Sequence, residues 1–184
     1  EWHGTACASI ACSADPKAPG VAPEAYLIPI RSMGLGSVLE SEAFYWATKN
    51  GADIISCSWG PPDGNPLSPT DKREPYPIPD HTNLAIQYAA REGRKGKGCA
   101  VFFAAGNGNE PVWYDEYAAH PDVMAVGSTN RDDKKALYAD FQSPLFCCFP
   151  SGEYEPFEGS LRQLYGVSVA DRLGADGQDA GDYF

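Results

Sequence analysis

Two residues in this sequence stand where their chemistry could serve a reaction. The first is Asn107, in Gly106-Asn107-Gly108. A primary amide between two glycines presents its N–H donors with little steric cover, which suits holding an oxygen that gains negative charge during a reaction. The same three residues are also ordinary turn chemistry, so the segment alone is compatible with a plain turn. The second is His3, whose imidazole can take and return a proton near neutral pH. A single histidine near a helix start is more often a cap or a core residue than a catalyst.

These residues need elements to position them. Residues 99–105, Cys-Ala-Val-Phe-Phe-Ala-Ala, form an uncharged apolar run that predicts a strand buried on both faces of a parallel sheet. In open parallel sheets ligands are met outside the carboxyl ends of the strands, which is where Asn107 would sit. Further strands are predicted at 25–31, 53–58 and 123–128, with Pro29 counting against a central position for the first. Helices are predicted at 2–14, with His3 in the first turn, and at 37–50 and 81–92. The last closes in the basic, glycine-spaced turn Gly93-Arg-Lys-Gly-Lys-Gly98. This alternation predicts an α/β fold with a parallel sheet. The pattern weakens past Tyr138, and the end from Ala170 onward is polar, acidic and glycine-rich.

At 184 residues, 43% apolar and 21% charged, the chain fits a single globular domain. Fourteen basic against 25 acidic residues leave a net charge of -11. That balance opposes a nucleic-acid or anionic-membrane partner and suits a basic substrate or bound calcium. Cys7, Cys12, Cys57 and Cys99 lie in apolar segments and read as small buried thiols, and Cys147-Cys148 with three histidines give no zinc spacing. No stretch is long and apolar enough for a membrane span, and Glu1-Trp2-His3 does not resemble a signal peptide.

Several segments together resemble the subtilisin-like serine proteases. They are His3-Gly-Thr-Ala-Cys-Ala-Ser, Gly20-Val-Ala-Pro-Glu-Ala-Tyr-Leu, Ala104-Ala-Gly-Asn-Gly108 and Pro121-Asp-Val-Met-Ala-Val-Gly127. Three features resemble the kexin and furin branch in particular: Cys7 after the histidine, Ser56-Cys-Ser-Trp-Gly-Pro61 followed by Asp63-Gly64, and Glu92-Gly-Arg-Lys-Gly-Lys-Gly before the apolar strand. The matches fall in the family's order from residue 2 to about 142. The resemblance implies a three-layer α/β fold with a central, mostly parallel sheet flanked by helices. It also implies a serine endopeptidase that prefers arginine or lysine before the scissile bond.

On this resemblance His3 is the general base of an Asp-His-Ser triad and Asn107 donates to the oxyanion. Ser58-Trp59-Gly60 and Ala104-Ala105-Gly106 match the two backbone edges that flank the first recognition pocket. Asp63 and Asp115 match the acidic residues that receive the basic side chain, and Glu42 matches one lining a more distant subsite. Glu42 reads equally as a solvated surface residue. Asp140 matches an acidic calcium ligand beneath the pocket, with Asp63 sharing the ion. Glu110 is a candidate for another ligand. Oxygen-only ligation suits structural calcium.

The family's triad runs Asp, His, Ser, and neither an upstream aspartate nor a Gly-Thr-Ser motif occurs here. Gly181-Asp-Tyr-Phe184 resembles the lead-in to the serine motif. The expectation is a partial catalytic domain over residues 1–184, inactive by itself, whose partners are a polypeptide substrate with basic residues, a pro-segment or the remaining parts of the same protease. Family resemblance favours a secreted or extracytoplasmic setting. The alternative is a noncatalytic peptide-binding or scaffold module of the same fold. A phosphate loop at Gly106-Asn-Gly lacks the spacing that cradles phosphate.

Overall fold

The computed structural model describes residues 2–31, 34–68 and 74–170, so the expected lead-in at 181–184 lies outside the described residues. The chain divides into two compact units, Glu1–Pro29 with Val167–Phe184, and Ile30–Gly166.

In the first unit, α1 (Trp2–Cys12) forms from small residues, several of them alanine, the best helix former. The Ser9 hydroxyl and the Cys12 thiol donate to Ala6 O and Ala8 O at 2.8 and 3.3 Å. The returning chain closes the helix end, with Val21 N–H donating to Ile10 O and Ala22 N–H to Ala11 O, both at 2.9 Å. This approach needs a glycine at position 20, because a Cβ there would stand 2.5 Å from Ser13 N and 2.6 Å from Cys12 N. The helix is less buried than expected: among its described residues only Ala6 is buried, and His3 is exposed. Its apolar residues lie all round the axis rather than on one stripe, so no single face can hide them. The strand expected at 25–31 does not form, and Tyr26 is 100% exposed. Pro29 offers no N–H to a ladder, which disfavours the segment as a strand.

In the second unit, β1 (Ile54–Cys57), β2 (Ala100–Ala104), β3 (Met124–Thr129) and β4 (Leu145–Pro150) pair in that order, every pair parallel. Parallel neighbours require a crossover. Helix α3 (Asp80–Gly96) provides it between β1 and β2, and α2 (Val38–Lys49), which precedes β1, packs on α3. The architecture is the expected α/β one, a parallel sheet flanked by helices.

Helix α2 starts at Ser37, whose Oγ accepts the Glu40 N–H at 3.2 Å, satisfying a donor that a helix start otherwise leaves orphaned. The regular part of α3 ends at the expected basic turn, where Arg94 and Lys95 are left-handed with φ 52 and 60. Gly93 is required there because a Cβ would meet Cys99 Sγ at 2.3 Å.

The core is aromatic. The Phe103 ring lies 6.4 Å from Phe44 on α2, 5.1 Å from Trp59 and 5.9 Å from Tyr117, distances at which ring pairs attract beyond their buried area. Strand β2 differs from expectation in one respect: Val101 and Phe103 are fully buried, whereas Ala100, Phe102 and Ala104 are half-buried, so only one face is closed. The weakly patterned region holds β4 and an antiparallel hairpin of β5 (Glu153–Phe157) and β6 (Ser160–Tyr165).

Candidate active site

Because β1 and β2 are parallel neighbours with Cys57 opposite Phe103, their carboxyl ends leave the sheet at the same edge. The residues that follow, Ser58-Trp59-Gly60 and Ala105-Gly106-Asn107, therefore begin side by side. Asp63 joins the two loops: its Oδ1 accepts the Asn107 backbone N–H at 2.8 Å and its Oδ2 accepts the Asn107 side-chain amide at 3.4 Å. Asn107 is exposed at this edge.

The turn is tight enough to dictate its glycines. Gly106 adopts φ +117, and a Cβ there would lie 2.2 Å from Asp140 Oδ2 and 2.9 Å from Asp63 Oδ1. Asp140 is only 4% exposed, and its Oδ1 accepts the N–H groups of Gly108 at 2.8 Å and Glu110 at 3.1 Å. Glu110 Oε1 accepts the Gly64 N–H at 3.0 Å. Asp63, Glu110 and Asp140 each offer a carboxylate oxygen, and these lie within 4.8 Å of one another. The candidate Glu110 thus takes its place beside the two aspartates.

Three carboxylates so close repel one another unless one is protonated or a cation joins them. Burial, opposed by the backbone hydrogen bonds and reinforced by the charges of Asp63 and Glu110, pushes Asp140 up to about 7. Hard oxygen donors in a flexible array of loops are the donor set of calcium, and the cluster fits that ion.

The loop after the turn returns to the 58–60 edge. Asp115 Oδ2 lies 3.0 Å from the point where a Cβ on Gly60 would stand, so glycine leaves room for the carboxylate beside that backbone. Its Oδ1 accepts the Tyr117 N–H at 2.8 Å, and the Tyr117 ring meets Trp59 edge-on at 5.8 Å. Burial raises Asp115 to about 6, with the Asp63 and Glu116 charges adding to the shift. The edge thus carries an amide donor, two backbone strips and an acidic wall, an arrangement able to hold an extended peptide with a cationic side chain.

The structure brings Ser58, Trp59, Gly60, Asp63, Ala105, Gly106, Asn107, Asp115 and Asp140 to one edge of the second unit. Glu42 lies exposed on α2. His3 belongs to the other unit, on the first turn of α1, where its Nε2 is 3.9 Å from Cys7 Sγ.

Sequence reasoning missed Glu40. This buried carboxylate accepts the Gly36 N–H and the Thr82 hydroxyl, each at 2.9 Å, and ties the loop before α2 to α3. Its signal was present as Ser37-x-x-Glu40, the pattern of a capping box, although the glutamate bonds Gly36 rather than the cap residue itself.

Comparison with known proteins adds a family. A profile of the subtilase family of peptidases matches residues 1–170. The chain is 47% identical over 184 residues, 98% of its length, to a calcium-dependent protease of Trichormus variabilis, of which it covers 27%. It is 31% identical over 166 residues to kexin of Saccharomyces cerevisiae, covering 84% of this chain and 19% of kexin. Among solved structures, the prenylagaramide maturation protease PagA superposes with a TM-score of 0.62 at 23% identity, over 89% of this chain and 57% of that one. The epidermin leader peptide processing protease of Staphylococcus aureus gives 0.63 at 22%, over 83% and 40%. These two structures share the fold. The chain spans about a quarter of the length of the curated relatives it matches first.

Proposed function

The chain belongs to the subtilase family, and from that premise we propose that the full-length protein is a calcium-binding serine endopeptidase that cleaves after arginine or lysine. The observation that carries the reading is the placement of Asp115 against Gly60, with its carboxylate oxygen 3.0 Å from the missing Cβ, on the edge that a substrate strand would pair with. A guanidinium entering there would meet a desolvated carboxylate, the setting in which such a pair is strong and directional. The relatives include a calcium-dependent protease and kexin, which agrees with both parts of the proposal.

In this reading substrate lies as an added strand between Ser58-Trp59-Gly60 and Ala105-Gly106. Asn107 turns its side-chain amide from Asp63 to the oxyanion of the tetrahedral intermediate, a donor whose loss typically costs about 10²–10³ in turnover. His3 takes the proton of the attacking serine hydroxyl and returns it to the leaving amine. The serine and aspartate of the triad have no matched positions among these 184 residues. Asp63, Glu110 and Asp140 would hold the calcium, whose charge would offset their mutual repulsion beneath the pocket. Glu42 would meet the substrate further from the scissile bond, and a pro-segment would occupy the same edge before activation.

The test is cleavage by the full-length protein of two peptides that differ only in arginine or leucine before the scissile bond. The proposal expects arginine to be preferred by at least about 30-fold, the worth of roughly 2 kcal/mol of paired charge. Equal or faster cleavage after leucine would remove the role given to Asp63 and Asp115.

A further inference from the structure

The turn that carries Asn107 has a second support beside the acidic cluster. Asp63 and Asp140 take the backbone N–H groups of Asn107, Gly108 and Glu110, but the Asn109 N–H donates to Tyr138 O at 2.8 Å. Asn109 sits at φ +52, a left-handed conformation that asparagine tolerates better than most residues. Its side chain reaches two other segments, its Nδ2 donating to Pro66 O at 3.2 Å and its Oδ1 accepting from Lys135 Nζ at 2.7 Å.

The same ammonium donates to Ala139 O at 2.9 Å and to Ala136 O at 3.1 Å, with Leu137 O at 3.4 Å. Three donors therefore hold the 135–139 loop closed on itself and the Asn109 side chain against it. Lys135 is an exposed residue, yet its ammonium is bonded to protein oxygens. Its hydrogen-bond partners are neutral carbonyl and amide oxygens, while the Asp140 and Glu153 carboxylates favour its charge from further away.

We propose that Lys135 is a positioning residue for the oxyanion donor, acting through Asn109 to fix the turn on which Asn107 stands. The inference rests on the role given to Asn107 above. A donor must stand within a few tenths of an ångström of where the oxyanion forms, and slack in the turn weakens stabilisation of the transition state more than binding of the substrate. Asp115, at the pocket for the basic side chain, has its own support from the Tyr117 N–H and from the Trp59 ring packed on Tyr117.

The experiment is steady-state kinetics of the full-length protein at saturating calcium with the arginine peptide. Lys135→Met is expected to lower kcat by about 10-fold while KM stays within about two-fold, as for an interaction realised in the transition state. Asn109→Ala is expected to do the same and carries the test if Lys135→Met does not fold. The double variant should lose less than the product of the two single losses, because both remove the shared Lys135–Asn109 bond. For Lys135→Ala, added ammonium ion should restore part of the lost kcat, a rescue that a mere loss of fold stability would not show.

A wild-type kcat in Lys135→Met, whatever its melting temperature, overturns the proposal, and so does a fully additive double variant. Asn107→Ala separates the two ideas. If that variant loses turnover while Lys135→Met does not, the positioning role alone has failed; if it keeps wild-type turnover, the oxyanion assignment has failed and the positioning role with it.

Discussion

Replacement of Gly106 by alanine tests how tightly the Asn107 turn and the acidic cluster are built together. The backbone at φ +117 is one that a residue with a Cβ adopts only under strain, costing about 1–3 kcal/mol. The added carbon would also stand 2.2 Å from Asp140 Oδ2 and 2.9 Å from Asp63 Oδ1, so one or both carboxylates must shift. Asp140 can shift only by weakening its bonds from Gly108 and Glu110, each to a charged acceptor and worth about 1.5–3 kcal/mol. With those two bonds weakened by about half, the sum is roughly 2.5–6 kcal/mol, or on the order of 10 °C in the melting temperature of a domain this size. Calcium affinity should fall as well, because the moved oxygens belong to the proposed ligand set. Calorimetric melting and calcium titration of wild-type and Gly106→Ala full-length protein measure both. If the variant melts within about 2 °C of wild type and binds calcium equally well, the close packing of Gly106 on Asp140 and Asp63 is not a feature of the folded protein.

Chelation should lower the melting temperature of the full-length protein. An ion at 100 times its dissociation constant contributes about 2.7 kcal/mol by mass action, and no shift would remove the cation from the cluster. The preference for arginine over leucine should shrink as pH falls through about 6, where Asp115 gains its proton. Because its raised value makes the carboxylate ionised only above that point, the ratio of the two kcat/KM values isolates it from any histidine common to both substrates. A pH-independent ratio would refute this role, and Asp115→Asn should show the low ratio at every pH. Phe103→Ala, at a fully buried position among Phe44, Trp59 and Tyr117, should cost about 3–5 kcal/mol in denaturant unfolding. A loss below about 1 kcal/mol would mean that the aromatic cluster is not the core.

The site was more legible in the sequence than the first unit of the fold. Uncharged runs such as 99–105 and 123–128, each ending in glycine or small residues, declare strands of a parallel sheet because they must be apolar to sit inside one. The glycines at 106 and 108 declare close approach, and the structure supplies what they approach: Asp140, Asp63 and Glu110. What periodicity could not supply was partnership. Residues 25–31 have strand composition, but a strand exists only in a ladder, and the proline at position 29 removes one of its donors. Lys135, and the burial of Glu40 beyond its capping-box pattern, were illegible for a related reason. A glutamate on a helix and a lysine in a polar loop look solvated until the fold places Thr82 beside one and four oxygens around the other.

With Asn107 as the proposed oxyanion donor and Asp63 as a proposed calcium ligand, Asp63 would couple catalysis to cation binding. One of its oxygens takes the Asn107 backbone N–H, the other lies 3.4 Å from the Asn107 side-chain amide, and the same carboxylate belongs to the cluster with Glu110 and Asp140. A cation drawing on Asp63 weakens its hold on that amide and so frees the donor to face an oxyanion. Linkage then requires the converse. An inhibitor that mimics the tetrahedral intermediate and engages Asn107 must raise calcium affinity by the same factor by which calcium raises its own. Equal inhibitor affinity with and without calcium, in protein that remains folded, would show that Asp63 serves the two sites independently.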